Sequence, residues 1–201
     1  NAAHELQTPI AILRSKLDLL IQAPNLSEEM AELVNDVSSP LSRLSRINKN
    51  LLLISKVESQ QFDEKTTVSL SEKAQDFLAL FEDYIQQKEL IVETTFSDHS
   101  EIKVNLFLLE TLIQNLVSNA IRHSEPKSEI KLTVGADSFE ISNSGAIPLD
   151  ESLLFKRFSN TTNQKVSSGL GLAIVKEICA KNNWKVSYQF QDSFHVFRIE
   201  F

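Results

Sequence analysis

Three side chains near the start of the chain have the types and spacing for chemistry on phosphorus: His4, Glu5 and Thr8. A neutral imidazole can attack through one ring nitrogen when the other gives its proton to a carboxylate, and Glu5 follows His4 directly. Thr8 stands one helical turn on, on the same face, where a hydroxyl can orient water for the reverse hydrolysis. Taken alone, these three residues fit a surface histidine beside a helical glutamate more simply. The chemical reading needs a phosphoryl donor site elsewhere in the chain.

Residues 105–123 supply one half of such a site. Leu109, Ile113, Leu116, Val117 and Ala120 recur as the buried side of a helix, which sets Asn115, Asn119, Arg122 and His123 on another side. Two amides one turn apart offer oxygens to Mg²⁺ and to phosphate-bound water, and Mg²⁺ keeps several waters, so few protein ligands are needed. Arg122 can neutralise phosphate charge. A merely polar helix face is the alternative. The other half is carried by scarce glycine. The chain has four, Gly135, Gly145, Gly169 and Gly171, and three of them stand in the segments Asn143-Ser144-Gly145 and Ser168-Gly169-Leu170-Gly171. The second segment opens a helix, where free backbone N–H groups and close approach favour an anion. No GxxxxGK[ST] or GxGxxG is present, so P-loop and Rossmann sites are excluded.

The elements that must position these residues fall into two sets. Ala3, Leu6, Ile10, Leu13, Leu17 and Leu20 recur at spacings of three and four, and Met30, Leu33, Val37, Leu44, Ile47, Leu51 and Ile54 do so again after a break at residues 23–27. Two such seams predict a helical hairpin, with Ser27 capping the second helix and Pro40 kinking it. A hairpin buries little by itself, so a second copy is expected to complete a four-helix bundle, the alternative being that both helices pack on the rest of the chain. Residues 66–201 alternate strand and helix patterns. Strands are expected at 66–70, 90–96, 130–134, 139–142, 185–189 and 195–201, and helices at 71–89, 105–123 and 169–182, making an α+β sandwich. Gln60–Lys65 is a polar linker. The division expected is residues 1–62 and 63–201.

Residues 1–9, reading Asn-Ala-Ala-His-Glu-Leu-Gln-Thr-Pro, resemble the H-box of sensor histidine kinases. Residues 115–124 resemble the N-box of that family, residues 141–148 its G1 box, Leu154–Phe158 its F-box and residues 167–175 its G2 box. The order is the family's and the resemblance spans nearly the whole chain. It implies a dimeric helical hairpin followed by an Hsp90-like ATP-binding fold, with ATP and Mg²⁺ as cofactors. His4 is then the phosphoacceptor, Glu5 its activator and Thr8 the support of a phosphatase activity. Asn115, Asn119, Arg122, His123, Asn143, Gly145, Ser168, Gly169, Leu170 and Gly171 line the nucleotide, with Asn119 on the metal. The chain departs from the family at Gln7, where a basic residue is common, and at Asn143, where the family has an aspartate that accepts from the adenine amino group. The second glycine of the G1 box is also missing. Ser159 and Asn160 stand where an aromatic and an arginine are common. The F-box phenylalanines are expected beneath a polar lid over residues 159–168.

The implied activity is autophosphorylation of His4 and transfer to an aspartate in the receiver domain of a response regulator. A phosphatase-biased or catalytically weak member that binds the regulator is the alternative, and another ATPase of the Hsp90-like superfamily is a third reading. A formal charge of −7 gives no general attraction to nucleic acid. The single cysteine, Cys179, excludes a disulfide within the chain and sits in an apolar run as a small core residue. No apolar run reaches the roughly 18 residues of a membrane span. The chain reads as an excised piece, and the resemblance implies the cytoplasmic portion of a bacterial inner-membrane protein whose anchor lies in a segment absent here.

Overall fold

A computed structural model describes residues 2–23, 26–59, 61–159 and 169–201, with side chains from residue 5 onward. Helices α1 (Ala2–Ile21) and α2 (Glu28–Glu58) form an antiparallel hairpin. Ser27 caps α2 as its hydroxyl accepts from the Met30 N–H at 3.2 Å. The helix runs continuously through Pro40. Proline removes one backbone donor there, and the Ser38 hydroxyl donates to the Val34 carbonyl at 2.7 Å just before it. Most of the expected seam is open to solvent in the single chain, including Leu6, Leu13, Leu20, Met30, Leu33, Val37 and Leu44. The end of α2 behaves differently: Ile54 and Val57 are buried in the core of the C-terminal half.

That half begins with β1 (Thr66–Ser69), α3 (Leu70–Leu80), α4 (Glu82–Gln87), β2 (Ile91–Phe96) and β3 (Glu101–Val104). It continues with α5 (Leu106–His123), β4 (Glu129–Val134), β5 (Ser138–Ser144), α6 (Glu151–Leu154), α7 (Gly171–Asn182), β6 (Lys185–Gln191) and β7 (Phe194–Glu200). A five-stranded sheet has the order β2-β4-β5-β7-β6, with β2 parallel to β4 and the remaining pairs antiparallel. A separate ribbon pairs β1 with β3. The helices cover one face of the sheet, so the α+β sandwich expected from the sequence is present.

Three local expectations change. The stretch 71–89 is two helices, because the chain breaks at Phe81 and restarts. Strand β3, of four residues, is not among the strands expected from the sequence, and it pairs with β1. Helix α6, of one turn, is set by the Asp150 carboxylate accepting from the Ser152 N–H at 2.9 Å.

Helix α5 is the centre of the sandwich. Leu108, Leu109, Leu112, Ile113, Leu116, Val117, Ala120 and Ile121 are all buried, a broad apolar stripe facing the sheet and the neighbouring helices. From the sheet side, Ile130, Leu132 and Val134 of β4, Phe139 and Ile141 of β5, and Phe197 and Ile199 of β7 point inward with period two. Cys179 is buried among them and its thiol is pushed up to about 12 by burial, as a core residue should be.

Candidate functional site

The inward-facing rows of β5 and β7 end in polar residues. On β5 the row runs Phe139, Ile141, Asn143; on β7 it runs Ile199, Phe197, His195. The register sets Asn143 directly opposite His195. At this end the core opens into a cavity of about 580 Å³ between α5, the loop after β5, the start of α7 and β7. Asn119 and His123 face it from α5, Asn143 and Gly145 from β5 and its loop, and His195 from β7; Leu149, Leu154, Leu172 and Phe197 supply apolar wall. An apolar slot with a few convergent polar groups is the usual make-up of a small-ligand site.

Each polar group is held by its element. Asn143 is buried, and its amide Nδ2 donates to the Ser144 carbonyl at 3.2 Å. Gly145 is glycine for a steric reason: a Cβ there would collide with the His195 ring. The His195 Nδ1 lies 2.9 Å from the Tyr188 hydroxyl, which accepts from the Leu149 N–H at 2.9 Å. Burial lowers the pKa of His195 from its ordinary range. It lowers that of His123 too, with Arg122, Lys88 and His195 adding smaller repulsions. The end of α5 is anchored by the Lys88 ammonium, which donates to the carbonyls of Ile121, Arg122 and Ser124 at 2.8–3.0 Å. A cation on these carbonyls satisfies groups the helix leaves open and suits its dipole.

The start of α7 differs from the other helix starts in its cap. In α2, α3 and α5 the N-cap side chains Ser27, Ser69 and Asn105 accept from the first turn. In α7 the N-cap is Leu170, and no side chain accepts there. Gly169 adopts a left-handed φ of 64°, and the Leu170 side chain is wholly buried in the core. A Cβ at Gly171 would stand 2.8 Å from Asn115 Oδ1, which places that amide beside the helix start; its Nδ2 is tied to the Thr111 carbonyl at 2.7 Å.

Not every expected residue reaches the cavity. Arg122 is exposed at the surface and absent from the wall; partial desolvation of its guanidinium and then the nearby Arg46 of α2 lower its pKa. Glu5 and Thr8 are exposed on α1, while the His4 side chain and Ser168 lie outside the described residues, as does most of the expected lid. Of the F-box phenylalanines, Phe155 packs on the core and Phe158 is exposed, with a φ of 63° and its N–H donated to the Gly169 carbonyl at 2.9 Å. His195 and Tyr188 are not singled out by any motif of the sequence. Their signal was available as the single polar break in the row Ile199-Phe197-His195, but it gains meaning only through pairing with β5. Among the described residues no His/Cys/Asp/Glu cluster suits a metal ion.

The fold is that of an ATP-binding module, and residues 105–200 match the family model for histidine kinase-, DNA gyrase B- and HSP90-like ATPases. Residues 1–60 match the His Kinase A (phospho-acceptor) domain. The chain belongs to the sensor histidine kinases of two-component systems. It is 29% identical to sensor histidine kinase HprS of Escherichia coli over 99% of this chain and 45% of that protein. It is 30% identical to sensor protein QseC of Salmonella typhi over 94% and 43%. The chain therefore spans less than half the length of these relatives. Among solved structures, the histidine kinase AdeS of Acinetobacter baumannii matches with a TM-score of 0.67 and 28% identity over 98% of this chain and 96% of that one. Full-length ShkA matches with a TM-score of 0.80 over 98% and 44%, at 19% identity, a likeness of fold. No described helix is long and apolar enough to cross a membrane.

Proposed function

We propose that this chain binds ATP·Mg²⁺ in the cavity bounded by α5, β5 and α7, phosphorylates His4, and passes the phosphoryl group to an aspartate of a response regulator. The observation that carries the reading is the convergence of Asn119, Asn143 and, from the first turn of α7, Leu172 on one cavity, in a chain that also bears His4, Glu5 and Thr8. Asn119 offers a neutral oxygen of the kind Mg²⁺ accepts, next to backbone N–H groups suited to phosphate, so the residues present fit the ion. The metal would neutralise phosphate charge when bound. The chain's own contribution is placement and electrostatic complementarity, which phosphoryl transfer chiefly requires. Glu5 holds the proton of one His4 nitrogen so that the other attacks, and Thr8 serves the reverse hydrolysis of a phosphorylated partner. The exposed apolar seam of the hairpin supports a homodimer, and the likeness to longer sensor kinases supports reading this chain as the cytoplasmic portion of a parent protein anchored in the inner membrane.

Gln7, one turn after His4, shares a groove with Phe62 and Phe107 at the start of α5. Asn119 lies twelve residues further along that helix, about 18 Å away at 1.5 Å per residue. Transfer within one subunit thus calls for movement of the sandwich about the linker, and transfer across the dimer uses the partner's cavity.

Incubation with γ-labelled ATP tests the proposal. Label that is acid-labile and base-stable, and that vanishes in His4→Ala, is expected; label surviving that change overturns it. Asn143 favours one second reading. A carboxamide lacks the charge of a carboxylate acceptor, so its hydrogen bond to a base is weaker. A phosphatase-biased, regulator-binding member would show dephosphorylation of the regulator and no autophosphorylation.

A further inference from the structure

The base end of the cavity presents two groups with hydrogen-bonding capacity to spare. Asn143 has Nδ2 committed to the Ser144 carbonyl and makes no other side-chain hydrogen bond among the described residues, leaving Oδ1 as its free acceptor. Rotating the amide to present Nδ2 instead would break that bond. His195 lies directly across the strand pair, on the same face, with its ring packed over Gly145. Directly opposed side chains of an antiparallel pair stand about 5 Å apart, near enough to engage neighbouring atoms of one ring.

The state of His195 follows from its neighbour. The Tyr188 oxygen already accepts from the Leu149 N–H, and His195 Nδ1 at 2.9 Å is the partner within reach of its own proton, so we assign the phenol as donor and Nδ1 as acceptor. Burial raises the pKa of Tyr188 and lowers that of His195, so the phenol keeps its proton and the imidazole stays neutral. A neutral imidazole that accepts at Nδ1 carries its hydrogen on Nε2. The Nε2 atom makes no hydrogen bond among the described residues and lies against Gly145 at the cavity wall. The wall thus shows an acceptor, Asn143 Oδ1, beside a donor, His195 Nε2–H. A 6-amino purine shows the complement, an amino donor beside a ring-nitrogen acceptor. A 6-oxo purine shows the reverse pattern, oxygen against oxygen and N–H against N–H.

We propose that His195, held in one tautomer by Tyr188, is a base-reading residue of this cavity, and that with Asn143 it selects a 6-amino over a 6-oxo purine without any carboxylate. The inference rests on the nucleotide reading of the site. His195 touches the base; Tyr188 is a positioning residue that acts through it. A mismatched buried donor or acceptor is costly, which is why such pairs discriminate more strongly than apolar contacts do.

The test is calorimetric titration of the 201-residue chain with ADP and IDP, which differ at the 6-position and N1, in the presence of Mg²⁺. Wild type should bind ADP at least about tenfold more tightly than IDP. His195→Phe keeps a ring over Gly145 and removes the donor; it should weaken ADP about tenfold and leave IDP within about twofold, collapsing the ratio. Tyr188→Phe removes one oxygen and should narrow the ratio about threefold, a change that loss of packing alone would not produce. Nitrogen chemical shifts of the His195 ring should report the Nε2–H tautomer in wild type and a tautomer mixture in Tyr188→Phe. If His195→Phe does not fold, Tyr188→Phe and the ring shifts decide. An unchanged ADP/IDP ratio in these variants, or an Nδ1–H tautomer in wild type, overturns this inference and leaves the proposed function standing. Wild type that binds neither nucleotide overturns both.

Discussion

In the hairpin, Leu13, Leu33 and Val37 are 54–60% exposed, whereas in the sandwich Leu112, Leu132 and Phe139 have no exposure at all. The residue types are alike and both regions follow clean apolar periods. What differs is the partner. In the sandwich, α5 finds the sheet on one side and α3 and α7 on others, all from the same chain. In the hairpin, the two seams meet each other and only the end of α2 reaches the sandwich, so the outer part of each is left for a surface that this chain does not supply. The sandwich should therefore be stable as a unimolecular object. The stability of the hairpin should depend on the concentration of a second copy.

The strongest way to break this comparison is in the sandwich core. Phe139→Ala deletes a wholly buried ring on the sheet's inner face. The expected cost is about 3–5 kcal/mol. Urea unfolding followed by the tryptophan at position 184, which stacks edge-on with Phe201, should show it at every protein concentration. A cost that varied with concentration would mean that the sandwich, too, borrows its core from a partner. In the hairpin, Leu13→Asp should act in the opposite manner. A leucine at a dimer seam contributes about 1.5–3 kcal/mol when buried, so the dimer should weaken by tenfold or more in analytical ultracentrifugation. The unfolding midpoint of the sandwich should stay put. An unchanged dimer would send the exposed seam to some other use.

The two regions also differed in how far they could be read before any coordinates. The hairpin declares itself, because a spacing of three and four over twenty residues has one structural meaning and the cap at Ser27 is local. Helix α5 is equally plain, and Asn119 and His123 could be placed on it from spacing alone. The sheet is where reading stopped. Strand existence was legible from β-branched runs, but the order β2-β4-β5-β7-β6 depends on contacts between segments far apart in sequence. That is why Asn143 was found, by its motif, and His195 was not. Arg122 shows a different limit: helical spacing gives its side of α5 but not the neighbourhood of α2, whose Arg46 lies near that side chain. Phe81 broke a helix that its own propensity would have continued.

A smaller effect sharpens the comparison through pH. His123 and His195 both have pKa values lowered mainly by burial, and both belong to the sandwich. The folded form then holds fewer protons than the unfolded chain as pH falls through the unfolded value of about 6.5. Their contribution is fully present above that pH and is lost on acidification through the depressed folded values. Sandwich stability should decline between pH 7.5 and pH 5, with a slope that His123→Gln reduces. An equal slope in that variant would assign the acid sensitivity to carboxylates instead.

The smallest expected effect lies on the seam between the two regions. Arg157, just after α6, pairs with Glu58 at the end of α2 and with Glu177 on α7 at 3.4 Å, and both carboxylates raise its pKa. All three side chains are at least 31% exposed, so water screens the pairing. Exposed pairs contribute about 0–1 kcal/mol. Nearby, Ile54 and Val57 of α2 are buried against the sandwich, and each such side chain contributes about 1.5–3 kcal/mol. The apolar contact should hold the regions together, and the ion triad should set only their relative angle. Arg157→Ala is then expected to cost under about 1 kcal/mol, a melting shift within about 4 °C that shrinks in high salt. A larger, salt-insensitive loss would mean that hairpin and sandwich unfold as a single unit locked by charge, and that any movement bringing the cavity to His4 must first break that lock.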